Sequence, residues 1–183
     1  ARIRSLHGIS KDAWKRYSNE GFTPYETLYP GYKYNMMDLV ASFGIHQLAD
    51  VETNLITRKR YWEMYDKAFK KLDSIYTPLQ ELPHTRHARH LYAILIRPEK
   101  LKLNRNQFLA AMKAEGIGTG IHFTALHLHR YFRNAFGYKP GDYPNAEFIG
   151  ERTLSLPLSP AFSTQDIKDV IAAVLKLATY YHR

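Results

Sequence analysis

The amino-acid sequence predicts an α/β or α+β chain with a small sheet flanked by helices, and three observations point there. From Met36 to about Leu72, apolar residues recur at three- and four-residue steps, the period of an amphipathic helix. The run from His90 to Ile96 is short, apolar and ended by Pro98, as expected of a buried strand. Beyond it, helix-start and helix-stop residues alternate with further apolar segments, so helices and strands interleave.

Taken in order, Ala1 to Leu6 reads as the tail of a helix; with no methionine before it, a piece of a longer protein is expected. Ser10 is suited to cap a short helix through Trp14 and Tyr17, and Gly21 to Gly31 is an aromatic, proline-containing loop. In the long helical stretch, Leu39, Val40, Phe43, Leu48, Val51 and Leu55 precede Trp62, Tyr65, Phe69 and Leu72. So long a helix without a cap predicts a break near Asp50. Pro78 and Pro83 mark a loop before the first strand. Asn104 and Gln107 have capping-box spacing and open a helix through Phe108, Leu109 and Met112, which Gly116 closes. Ile117 to Phe123 alternates as a second strand, Leu126 to Phe136 reads as a helix and Gly137 to Asn145 as a turn-rich loop. Asn145 to Thr153 is a further helix, and Ser163, with Asp166 at N3, caps a last one to about Tyr180.

Composition bounds the function classes. The chain has 183 residues, 45% hydrophobic and 23% charged, an ordinary globular balance for one domain with or without part of a neighbour. There is no cysteine, which removes disulfides and thiolate metal sites and suits a reducing compartment. No apolar run reaches the roughly 18 residues of a membrane-spanning helix, so a cytoplasmic protein is expected. The net charge is +9, from 26 Lys and Arg against 17 Asp and Glu, but the charges are scattered. Their densest cluster, Arg58-Lys59-Arg60, lies on the helical pattern, where a solvated face explains it better than a nucleic-acid footprint.

Two segments could carry chemistry. In Pro30-Gly-Tyr-Lys-Tyr-Asn-Met-Met-Asp38, Lys33 and Asn35 share one side of an extended piece. Asn35 is expected to cap the following helix with Asp38 at N3, so an ammonium and free amides would face one anion such as phosphate. A plain capped helix beside a solvated lysine is the alternative. In Gly116 to His127, a strand would put Gly118, Gly120 and His122 on one open face, with His127 and then Tyr131 beyond a turn. These histidines could bond sugar hydroxyls or phosphates, or could be satisfied core residues. No carboxylate or Cys stands at a metal-ligand spacing, and HExxH, P-loop, GxGxxG and Ser-His-Asp patterns are absent.

Read together, these segments resemble a known family. GYKYNMMDLVASFGIHQL, followed by a charged helix with RKRYWEMYDKAF, is similar to the corresponding stretch of the DegT/StrS sugar aminotransferases. The likeness continues in order through His90-Leu-Tyr92, Gly116 to Phe123, His127, Gly137 to Asp142, Pro144-Asn-Ala146, Glu151-Arg152 and Leu154 to Leu158. The KYN and GIGTGIHF spellings look most like the enzymes that aminate UDP-4-keto-pentose in lipid A modification. Many relatives carry Asn where Lys33 stands and Arg where Asn35 stands; Met37, Ser42-Phe43, Arg89 and Ala125 also depart from the common pattern.

The resemblance implies the α/β C-terminal small domain of a fold type I pyridoxal 5'-phosphate (PLP) transferase, plus the helices joining it to the large domain. Residues 1–50 would be the tail of the large PLP-binding domain, and residues 51–183 the small domain. It implies a homodimer that transfers an amino group from glutamate to a nucleotide-diphosphate keto sugar, with no nucleic-acid or membrane partner. Lys33 and Asn35 would touch the PLP phosphate of the neighbouring subunit, and His122, His127 and Tyr131 would lie by the substrate. The Schiff-base lysine and the acid paired with the pyridine nitrogen would precede Ala1, so no catalytic residue is expected here and the chain alone should be inactive. A non-catalytic PLP-fold sensor or regulator is the alternative, and a basic nucleic-acid-binding domain the next.

Overall fold

The computed structural model describes residues 2–9 and 27–183. The expected helix from Ser10 through Trp14 and Tyr17, and the start of the Gly21–Gly31 loop, lie outside the described residues. The chain divides into two units, Ala1–Val51 and Glu52–Arg183.

In the first unit a short helix α1 (Arg2–Ser5) leads into a segment laced to residues 27–34. The Tyr32 amide donates to Arg4 O (2.7 Å), His7 to Tyr32 O (2.9 Å) and Tyr34 to Ser5 O (2.8 Å). Gly8 adopts φ +70°, and its α-carbon lies so close to the Tyr29 carbonyl that no side chain would fit. Helix α2 (Asp38–Ala49) follows, largely apolar yet with no buried residue. Its N-cap is Met37, not Asn35, and no side chain caps it; Asp38 is the first helical residue rather than N3. The expected Asn35 cap is therefore corrected: extended backbone continues to Met37 (φ −73°, ψ 147°), two residues further than Asn35 can reach. The break expected near Asp50 is present, between α2 and α3 (Val51–Phe69).

In the second unit, α3 sets Tyr61, Trp62, Tyr65 and Phe69 on one buried face. Three strands, β1 (Ile75–Tyr76), β2 (Tyr92–Ile96) and β3 (Thr153–Leu156), form an antiparallel sheet in that order. On β2, Tyr92, Ile94 and Ile96 point into the core, and Trp62 meets the Tyr92 ring edge-on at 4.8 Å. Two buried tyrosines find partners: Tyr65 donates to Pro157 O and Tyr92 to Asp66 Oδ1, both at 2.7 Å. Burial raises both phenol pKa values above their ordinary range.

His90 was expected to open the buried strand, but β2 begins at Tyr92 and His90 is exposed. Ile117 to Phe123 is not a strand. Gly120 alone bridges to Ser155, because Gly118 and Gly120 bring no side chains to a sheet surface. The strand on that side is β3, whose four residues are all buried and so show no alternation. Leu126 to Phe136 splits into a 3₁₀ turn (Leu126–Leu128) and α5 (Arg130–Phe136).

The remaining helices follow their local chemistry. Asn104 and Gln107 form a complete capping box on α4 (Arg105–Ala114). At its end Gly116 (φ +78°) donates to Lys113 O and Ile117 to Met112 O, a Schellman closure. Helix α6 (Pro144–Arg152) starts on proline, and α7 (Thr164–Tyr180) on a Ser163–Asp166 capping box. Helix α7 buries Ile167, Val170, Ala173, Val174, Leu177 and Ala178, one face at helical spacing.

Candidate functional site

In the first unit the backbone bonds to residues 4–7 hold residues 32–35 extended, while the Lys33 and Asn35 side chains are exposed. Two residues later α2 begins, presenting its first-turn amides and positive dipole end. A cation, an amide and a helix start along one short tethered segment fit an anionic phosphate. The Asp38 carboxylate in the first turn also meets that dipole.

In the second unit the two histidines take different positions. His122 is half-buried, and its Nδ1 is 2.8 Å from Ser155 Oγ. Ser155 is itself buried and fixed by the reciprocal backbone bonds to Gly120 (3.1 and 2.8 Å). The face expected to lie open over the glycines is closed at Gly120, where an added Cβ would fall 2.8 Å from His122 Cε1. Gly120 is what lets the imidazole fold back. Among the described residues, His122 Nε2 has no hydrogen-bond partner.

His127 is buried, at 6% exposure, and its Nε2 lies 2.9 Å from Glu147 Oε1. The carboxylate accepts, so this nitrogen carries the proton. Glu147 Oε1 also accepts the Gly141 amide at 2.7 Å. That amide and His127 hold the Glu147 carboxyl below its usual range. Glu147 comes from the first turn of α6, where the helix dipole also favours a carboxylate. Gly150, one turn on and buried, lets α6 approach the 123–125 backbone.

Tyr131 is exposed on α5, its ring edge-on to Phe132 and Phe136. Phe132, Phe136 and His127 line one cavity; Tyr131 and His122 are not among its lining residues. Sequence reading missed Glu147 and Ser155, the partners of the two histidines. Glu147 had a visible signature, an acid in the first turn after Pro144; Ser155 had none, since only the sheet brings it to Gly120. Among the described residues no cluster of His, Cys, Asp or Glu could hold a metal ion, and no helix is long and apolar enough to cross a membrane.

Comparison with known proteins adds the family context. Residues 1–175 match the model of the DegT/DnrJ/EryC1/StrS aminotransferase family. An uncharacterized protein of Methanocaldococcus jannaschii is 47% identical over 178 residues, covering 97% of this chain and 46% of that protein. The spore coat polysaccharide biosynthesis protein SpsC of Bacillus subtilis is 44% identical over 174 residues, 94% of this chain and 44% of SpsC. Among solved structures, Spr1654 of Streptococcus pneumoniae, assigned as a sugar aminotransferase, superposes in its PMP form with a TM-score of 0.81. The identity there is 28%, over 98% of this chain and 42% of that one. Its PLP form gives the same TM-score of 0.81. The chain thus spans less than half the length of the curated relatives it matches.

Proposed function

The chain belongs to the DegT/DnrJ/EryC1/StrS aminotransferase family, and from that premise we propose that it is the C-terminal part of a PLP-dependent enzyme moving an amino group from glutamate to a nucleotide-linked keto sugar. Residues 1–50 are then the tail of the large cofactor-binding domain and residues 51–183 the small domain. The family match over residues 1–175 carries the reading. Support comes from SpsC, named for polysaccharide biosynthesis, and from the PLP and PMP forms of Spr1654.

PLP, when bound, supplies the electron sink for amino transfer. This chain's residues bind and orient. Lys33 and Asn35 hold the phosphate of the neighbouring subunit's cofactor, the ammonium by charge and the amide by hydrogen bonding. His122, with Nδ1 engaged by Ser155, offers Nε2 to a substrate hydroxyl or phosphate oxygen. His127, tied to Glu147, fixes the turn that presents α5 and Tyr131. A homodimer is supported by α2, an apolar helix with no buried residue: such a helix is normally covered on all sides, here by the rest of the full-length enzyme and its second subunit. We assign the cofactor-anchoring lysine to residues upstream, which leaves this stretch alone inactive in the cytoplasm.

The test uses the full-length protein, incubated with PLP, glutamate and a panel of UDP- and dTDP-linked keto sugars. Amino-sugar formation matched by release of 2-oxoglutarate is the expected result, and Lys33→Ala should weaken PLP binding about tenfold or more, as for a lost charged hydrogen bond. Cofactor binding without amino transfer to any sugar in the panel would instead favour the non-catalytic sensor.

A further inference from the structure

An imidazole that meets a substrate through one nitrogen acts as donor or acceptor according to which nitrogen holds the proton, and the partner of its other nitrogen decides that. For His122 this partner is Ser155, whose Oγ is 2.8 Å from Nδ1. Ser155 stands opposite Ala93 in the β2–β3 ladder, is 4% exposed, and exchanges both backbone bonds with Gly120. Its hydroxyl is thus mounted on a fixed backbone, and among the described residues His122 Nδ1 is the one partner it has. The imidazole is confined as well. Its Cε1 fills the space that a Cβ on Gly120 would need, and the Phe123 ring stands edge-on to it at 4.9 Å. Nε2 is unpartnered but not sealed in: among the described residues, the buried side-chain atoms without a partner belong to Arg58, Ser74, Thr119 and Arg152.

The direction of the Ser155–His122 bond follows from what each choice leaves unpaired. If Nδ1 donated, the hydroxyl hydrogen of a buried serine would have no acceptor among the described residues. If the hydroxyl donates, only an oxygen lone pair is left over at Ser155. That is the smaller loss, because buried donors go unpaired more rarely than buried acceptors. With Nδ1 accepting, the one ring proton of a neutral imidazole sits on Nε2, the nitrogen that reaches solvent.

We propose that Ser155 is a positioning residue for the substrate: its hydroxyl donates to His122 Nδ1, holds the ring over Gly120 and keeps the proton on Nε2. His122 then donates to an acceptor oxygen of the nucleotide sugar and takes no proton from it, a binding role and not that of a base. This rests on the nucleotide-linked substrate proposed above and adds the residue that orients the contact. The acceptor oxygen belongs to a phosphate or to a sugar hydroxyl, the same chemistry in either place.

The test uses the full-length protein. At about pH 8, where histidine is neutral, long-range nitrogen–proton NMR of histidine-labelled wild type should show the His122 proton on Nε2, the signal being identified by its loss in His122→Leu. A proton on Nδ1 overturns the proposal without any variant at Ser155. Ser155→Ala should raise KM for the best nucleotide sugar about 3- to 10-fold, with a smaller effect on kcat, as for one lost neutral hydrogen bond. Ser155→Thr, which keeps the hydroxyl and suits a strand, should restore it. In the His122→Leu background Ser155→Ala should add nothing to KM; additive losses would mean that Ser155 supports the strand and not the histidine, and the proposal is wrong. Calorimetry with UDP and dTDP, free and sugar-linked, locates the oxygen. Weaker binding of the free nucleotide by Ser155→Ala puts it on the diphosphate, weaker binding of the nucleotide sugar alone puts it on the sugar, and unchanged binding of both refutes the positioning role. If wild type aminates no nucleotide sugar, the substrate reading fails and takes the contact with it. The two failures are separable, because the Nε2 proton is read with no substrate present.

Discussion

Replacing Gly150 by alanine tests how tightly α6 is pressed against the segment that carries the histidines. On an open helix the change would stabilise by about 1 kcal/mol. Here the new Cβ would lie 2.7 Å from Ala125 N, with Phe123 O and Thr124 C each at 3.4 Å. The obstacle is backbone, so no side chain can swing aside. Relief requires α6 to retreat by about 0.7 Å, the distance from 2.7 Å to the start of ordinary contact at 3.4 Å. Glu147 rides on the same helix, three residues before Gly150. The same retreat would stretch its 2.9 Å bond to His127 to about 3.6 Å, beyond useful hydrogen-bond length. Overpacking of this kind costs about 1–3 kcal/mol, which offsets or exceeds the helix gain. Hydrogen exchange on the full-length protein reads this locally. Amides of residues 123–129 and 141–152 should exchange up to about tenfold faster in Gly150→Ala, with α7 unaffected, since 1.4 kcal/mol is a tenfold change in opening. Slower exchange in both segments, the result for an uncrowded helical glycine, would refute the close-packing argument.

Two other outcomes follow from single contacts. Ser163→Ala removes the hydroxyl that accepts the Asp166 amide at 3.1 Å and donates to Asp166 Oδ2 at 2.9 Å, while the backbone amide at 163 keeps its bond to that carboxylate, so α7 should lose about 1 kcal/mol, seen as faster exchange in its first turn with the fourth turn little changed. Glu147 titrates below its usual range in the folded chain because of the Gly141 amide and then His127. The stability it contributes is therefore present above the unfolded glutamate pKa of about 4.3 and is lost as pH falls through the lower folded value. Wild type and Glu147→Gln should differ in melting temperature at neutral pH and converge as the pH falls through the lowered folded value; a difference that grew on acidification would reverse the sign of this argument.

What the sequence made legible was local. The capping boxes at Asn104 and Ser163 and the glycine stop at Gly116 depend on residues within four positions of each other, and the structure has all three. The break at Asp50 was legible for a similar reason, since an uncapped helical pattern of that length is improbable. Sheet membership was not. Ile117 to Phe123 alternates as well as any strand, yet forms one bridge, while Thr153 to Leu156, too short and too evenly buried to show a period, is the strand that completes the sheet. Strand pairing is decided by the partner across the ladder, here β2, about 60 residues away in sequence. The Asn35 cap failed differently: the residue type was right, but bonds from residues 32–34 to 4–7 keep the chain extended past it. A tertiary tether overrode a local preference.

The histidines show the same division at the level of function. In sequence, His122 and His127 stand five residues apart in a glycine-loosened segment, and either could bind a ligand or rest in a core. Their partners separate the two roles. Glu147 takes the Nε2 proton of His127 in a site with 6% exposure, so using that nitrogen on a ligand would leave a carboxylate short of a bond it already has. Ser155 takes the opposite nitrogen of His122 and, among the described residues, leaves Nε2 without a partner. The spare hydrogen-bonding capacity thus belongs to His122, and His127 serves by position, as the end wall of the aromatic cavity. His127→Gln, which can still donate to Glu147, should therefore cost less activity than His127→Leu, whereas at His122 neither Asn, too short to reach the Nε2 position, nor Leu replaces the free nitrogen, and both should lower kcat/KM alike. Equal losses from the two His127 variants, with a split at His122, would exchange these roles.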